Sequence, residues 1–192
     1  MNDKLNIIER ITIKETYNKV LEVLGITKYL EINSDVYNVN VSKDTSFQKR
    51  FNYFYKLRQK PADWYGHYYR VFESIKKRII NKNDNISIEL VLGEIYSKTK
   101  TIEFSFSSKM LHTLLPSKYP IYDSRVKKAL DLEDLDGDGY LDKISSASRI
   151  YDELIKKYKE LGCIADIFDK VLPNTCLTRI KKIDTMLYWY GT

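Results

Sequence analysis

A chain of 192 residues with 43% apolar and 30% charged side chains, only 7 Gly and 4 Pro and no low-complexity run has the composition of a folded domain around one core, and neither a linker nor a disordered tail fits it. The first segment, MNDKLNIIERITIKETYNK, mixes charges of both signs, and no later run is apolar for long enough to span a bilayer, so neither a signal peptide nor a membrane anchor is expected and the cytoplasm is the expected location. The 32 basic against 26 acidic residues, a net charge of +6, favour capture of a polyanion, and the 16 Tyr supply either stacking faces or, more commonly in proteins, a core with hydroxyls at its edge.

In chain order, KETYNKVLEVLG puts Tyr17, Val20, Leu21 and Leu24 on one helical face and closes at Gly25. LEINSDVYNVNVS alternates apolar and polar residues around a turn-like NSD, which predicts a short two-stranded hairpin or extended arm at about residues 29–42. FQKRFNYFYKLR spaces Phe47, Phe51 and Phe54 by four and three, and ADWYGHYYRVFESIKKRII continues after Pro61 with Trp64, Tyr68, Val71, Phe72, Ile75 and Ile79. NKND is a loop, SIELVLGEIYSKT a further helix, and TIEFSFS leads into SSKMLHTLLPSKYPIYDSRVKKAL. SSASRIYDELIKKYKELG keeps Ala147, Ile150, Tyr151, Leu154, Ile155, Tyr158 and Leu161 in register up to Gly162, and IADIFDKVL and LTRIKKIDTMLYWYG follow, separated by Pro173 and Asn174. About eight helices on short loops give an all-α, compact multi-helix fold. One domain is expected over residues 1–192, of which 1–45 form an N-terminal part without a motif. Cys163 and Cys176 have no second CxxC and no histidine cluster nearby, and free, buried thiols are expected.

In SSKMLHTLLP, Ser107 or Ser108 suits the cap of a helix with Lys109 in its first turn and Leu111, Leu114 and Leu115 turned inward. The positive end of a helix disfavours an ammonium, so partial burial there depresses the lysine pKa and exposes a nucleophilic amine. Pro116 ends that helix, and Pro120 holds Tyr119 extended on the way to Asp123. Asp123 precedes SRVKKAL, where its carboxylate caps the next helix or, facing a cleft, acts as a base or stabilises a cation. Taken singly, Lys109 also suits a solvated surface lysine and Asp123 a plain N-cap.

Taken together, SSKMLHTLLPSKYPIYDSRV resembles the core of the helix-hairpin-helix DNA glycosylase superfamily, and within it a bacterial 8-oxoguanine DNA glycosylase-like branch. FQKRFNYFYKLR and RIKKIDTMLYWYG are similar to the same branch, so the resemblance runs over most of residues 47–191. It implies a monomeric DNA-repair enzyme that needs no cofactor for catalysis, acts on a damaged base flipped out of the duplex, and has Schiff-base lyase activity in some members. Lys109 then attacks the sugar carbon, and Asp123 stabilises the developing cation or activates the nucleophile. Trp64, Tyr68, Phe104 and Phe106 become stacking faces, with the core as their ordinary alternative, and His112 a pocket-lining residue, with a satisfied structural histidine as its alternative. Three features differ from the family: TIEFSFSSK lacks the glycines that grip a DNA phosphate before the lysine, the fourteen-residue interval from Lys109 to Asp123 is shorter than in its better-known enzymes, and two cysteines cannot hold the iron–sulfur cluster that some members carry. The missing glycines keep open a second function, a non-catalytic DNA-binding or genome-defence module on the same fold.

DLDGDGYLDKIS is a separate motif. Asp134, Asp136 and Asp138 alternate before Gly139, followed by the carbonyl of Tyr140 and the carboxylate of Asp142, the order of ligands in a calcium loop similar to those of EF-hand and dockerin-type proteins. Ser145 stands where a bidentate acid belongs, so a weak, structural Ca2+ site is expected, with a DG-rich turn between helices as the ion-free alternative.

Overall fold

The computed structural model describes residues 21–22, 24–57, 59–82 and 86–190, and among them every regular element is a helix. We number these α1 (Ile26–Asp35), α2 (Thr45–Phe54), α3 (Ala62–Ile80), α4 (Ile88–Thr99), α5 (Phe104–Leu114), α6 (Ser124–Leu130), α7 (Tyr140–Glu160), α8 (Gly162–Val171) and α9 (Arg179–Tyr190). Most of the helix expected in KETYNKVLEVLG lies outside the described residues. Its closing Gly25 is left-handed, φ 67°, and an added Cβ would stand 3.3 Å from Phe54 Cε2.

The hairpin expected at residues 29–42 is not formed. Ile26, Tyr29 and Ile32 recur every three residues and all point into the core, so the helical period of α1 prevails over the local alternation of LEINSD. The following turn carries buried Val36 and Val41 without pairing to a second strand. A buried ion pair on α3 clamps that turn instead. Glu73 Oε2 accepts from Val41 N at 2.9 Å, Lys76 Nζ donates to Val39 O at 2.6 Å, and the two charges stand 2.8 Å apart. With both ions also bonded to backbone, the pair offsets the desolvation that would make an isolated buried charge costly.

Asp44 caps α2 by accepting from Phe47 N, Pro61 stands at the N-cap of α3, and Ser87 caps α4. Phe47, Phe51, Tyr68, Tyr69 and Phe72 pack edge-to-face and stacked between α2 and α3, each 1% exposed or less. Burial of such a ring contributes roughly 1.5–3 kcal/mol. Buried side chains from Ile26 to Leu187 form one connected core. In it α4 packs on α3, α5 and α7, α5 touches α1, and α9 lies against α6 and α8.

Cys163 and Cys176 are free but exposed, contrary to the buried thiols expected. On α8 the inward positions are Ile164, Ala165 and Phe168, which turns Cys163 outward, and Cys176 sits in a left-handed loop conformation, φ 55°. No helix among the described residues is long and apolar enough to cross a membrane.

Candidate active site

Helix α5 starts four residues earlier than a Ser107 cap would place it, and five earlier than a Ser108 cap. Phe104 opens it after Glu103, so Ser107 and Ser108 are interior and Lys109 lies in the second turn, beyond the first-turn dipole argument. Ser108 is instead a buried bracket. Its hydroxyl donates to Ser105 O at 3.0 Å, accepts from Tyr122 N at 3.0 Å and stands 3.2 Å from Tyr122 O, which ties α5 to the segment that ends in Asp123.

The remaining Tyr119–Tyr122 contacts make that segment rigid. Tyr151 OH donates to Pro120 O at 2.7 Å, and Tyr119 OH donates to Ile86 O. His112 Nδ1 lies 2.8 Å from Tyr119 O, and its Nε2 lies 3.1 Å from Tyr29 OH. A carbonyl only accepts, so Nδ1 carries the proton and Nε2 accepts from the tyrosine. Burial, reinforced by the Lys181 charge, pushes the His112 pKa down to about 3, so the ring is neutral. His112 is fully buried in the core and does not line the cleft.

Asp123 does cap α6. Its Oδ1 accepts from Arg125 N and Val126 N, both at 2.9 Å, while Oδ2 accepts no hydrogen bond among the described residues. Asp123 and Lys109 line one cleft of about 560 Å3 that runs between the end of α2, the N-terminal parts of α5 and α6, and one face of α9. They are not an ion pair within 4.0 Å, and Lys109 Nζ lies over the Phe106 ring, 5.9 Å from its centroid. Burial holds the Lys109 pKa below the ordinary lysine range, against the opposing pull of Asp123 and Asp184. Burial, and then the charge of Asp184, raises the Asp123 pKa, which the Val126 N–H and Lys109 partly offset. The same partly dry cleft therefore shifts the Lys109 pKa down and the Asp123 pKa up, through burial in both cases.

Sequence patterns missed the third wall. On α9 the side chains of Lys181 and Asp184 face the cleft as a buried pair at 2.6 Å, with Lys181 Nζ 4.8 Å above the Tyr29 ring and Asp184 Oδ1 accepting from Tyr158 OH at 3.3 Å. The i,i+3 spacing of Lys181 and Asp184 in RIKKIDTM was the available signal, but such a pair more often lies on a solvated face. Lys56, Arg125 and Tyr188 complete the rim.

The aromatic residues expected to stack on a base are apart from this cleft. Trp64 and Tyr68 are buried and lie nearly parallel, 5.2 Å between centroids, and Phe104 stacks on Tyr122 at 4.1 Å. Phe106 is partly buried, edge-on to Trp64 and next to Lys109. Trp64 Nε1 is buried without an acceptor among the described residues.

In the acidic loop, each carboxylate that bonds does so locally. Asp134 pairs with Lys127, Asp136 Oδ1 accepts from Gly137 N at 2.7 Å, and Asp142 Oδ2 accepts from Gly139 N at 3.3 Å as part of the α7 cap. Asp138 is exposed, and Tyr140 starts α7 with its ring stacked on Tyr96. Among the described residues no three acidic, histidine or cysteine side chains are gathered for a metal ion.

The chain matches no family model, no curated protein and no solved structure.

Proposed function

We propose that the protein is a DNA base-excision glycosylase of the helix-hairpin-helix kind, with Schiff-base lyase activity at abasic sites. The observation that carries this is the joint presence of Lys109 and Asp123 in one cleft, unpaired with each other, with the Lys109 pKa shifted down and the Asp123 pKa up. The Lys109 amine, its pKa lowered by burial, gives up a proton and attacks the sugar carbon as the bond to the base breaks, and Asp123 in its carboxylate form takes that proton or faces the sugar cation. Ring opening leaves a Schiff base on Lys109, from which β-elimination expels the 3′ phosphate and water then releases the lysine. A cleft of about 560 Å3 matches the size class of small-ligand pockets, as a flipped nucleotide requires.

The test is base release from duplexes carrying 8-oxoguanine, uracil or an alkylated base, read as alkali-labile strand breaks. Release from one of them is expected, and no release from any together with retained DNA binding would favour the second reading. That reading, a non-catalytic DNA-binding module, is supported by the two backbone bonds that Asp123 makes as a cap.

A further inference from the structure

The charges of the cleft do not balance. Of its four cations, Lys181 is paired with Asp184, whereas Lys56, Lys109 and Arg125 have no carboxylate within 4.0 Å among the described residues, and Asp123 is the one further acid in the lining. Lys109 and Asp123 are of opposite sign in the same lining, which leaves Lys56 and Arg125 as the positive charges without a counterpart there.

Those two are held by one ring. The Arg125 guanidinium carbon lies 4.0 Å from the Tyr188 centroid, stacking distance that leaves the N–H edges of the fork free, and Lys56 Nζ donates to Tyr188 OH at 3.0 Å. Lys56 also occupies an unusual backbone position. Leu57 N bonds Asn52 O at 2.9 Å and Lys56 N bonds Tyr53 O at 3.4 Å, so α2 ends in a Schellman turn whose left-handed residue, normally glycine, is Lys56 with φ 53°. A lysine kept there against backbone preference, with its ammonium at the cleft, fits a use for that charge.

We propose that Lys56 and Arg125, fixed by Tyr188, form a clamp for one phosphate group of the ligand that enters the cleft. An arginine fork with a lysine beside it matches the several oxygens of a phosphate, and both side chains lie outside the reacting pair Lys109 and Asp123. Taking the phosphate as that of a nucleotide rests on the function proposed above. The phosphate comes either from a DNA strand, flanking the flipped nucleotide, or from a free nucleotide.

Fluorescence anisotropy with a labelled duplex carrying a tetrahydrofuran abasic analogue, over a series of NaCl concentrations, reads the first source, and thermal shift with dAMP reads the second. R125Q and K56Q are each expected to weaken duplex binding about tenfold or more and to flatten the plot of log affinity against log salt by about 0.9. Y188L should lose as much although both cations remain, and K159Q, on an exposed lysine outside the cleft lining, should match wild type. Wild-type duplex binding with unchanged affinity and slope in R125Q and K56Q would overturn the clamp and leave the glycosylase proposal standing. No duplex binding, but stabilisation by dAMP that R125Q abolishes, would keep the clamp and remove the DNA substrate. Binding of neither probe by wild type would overturn the clamp.

Discussion

Replacing Asp123 by Asn and by Ala separates its two tasks. Oδ1 satisfies two otherwise unpaired N–H groups at the start of α6, and losing such a cap costs about 1 kcal/mol, whereas Asn caps nearly as well as Asp. The raised Asp123 pKa adds a second effect with a definite sign. A carboxyl whose folded pKa lies above its unfolded value is disfavoured in the fold once ionised, so its cost is present above the folded pKa and fades as pH falls below the unfolded one. Both variants shed that cost, so they should differ from each other near pH 7 by the cap alone, about 1 kcal/mol or 2–4 °C in Tm for a chain of this size, with Asn at least as stable as wild type. Thermal and urea unfolding followed by circular dichroism measure this. Asn unfolding as early as Ala would refute the capping argument, and full base release by Asp123→Asn would refute the chemical role of the carboxylate.

Other outcomes follow from the same structure. The His112 ring should show no titration from pH 8 to about 4.5 in its NMR spectrum, because its pKa is down at about 3, and a midpoint near 6 would contradict the buried neutral assignment. An unfolded chain binds that proton near pH 6.5, so stability should fall as pH drops from there toward 3, by up to about 1.4 kcal/mol per unit. Lys56→Gly should be more stable than wild type by about 0.5–1 kcal/mol, since a left-handed lysine costs about 1–2 kcal/mol and glycine returns part of that as unfolded-state entropy. A melting curve checks it, and a loss of stability would mean that the Tyr188 contacts outweigh the strain.

The helical architecture was legible where the apolar period is long, as in ADWYGHYYRVFESIKKRII, because α3 buries one continuous face and little else competes. It failed at LEINSDVYNVNVS, where alternation over a few residues imitates a strand and only tertiary burial of Ile26, Tyr29 and Ile32 decides for helix. Lys109 and Asp123 were legible as a pair through the family resemblance of the stretch that holds them, and singly each also suited an ordinary surface lysine or N-cap. The serine bracket was not, since Ser108 reads as a cap until Tyr122 is seen against its hydroxyl. Lys181 and Asp184 escaped notice because a charged i,i+3 pair carries no sign of burial in the sequence, and the outward turn of Cys163 depends on how α8 is rotated against its neighbours.

The most direct measurement is borohydride trapping of the purified protein on a duplex with an abasic site, with Lys109→Gln in parallel and the pH varied. On the proposal that Lys109 is the lyase nucleophile, wild type should form a covalent adduct whose yield rises with pH through the lowered lysine pKa, and Lys109→Gln should form none. An adduct of equal yield in Lys109→Gln, or no adduct from wild type at any pH, would contradict Lys109 as the lyase nucleophile.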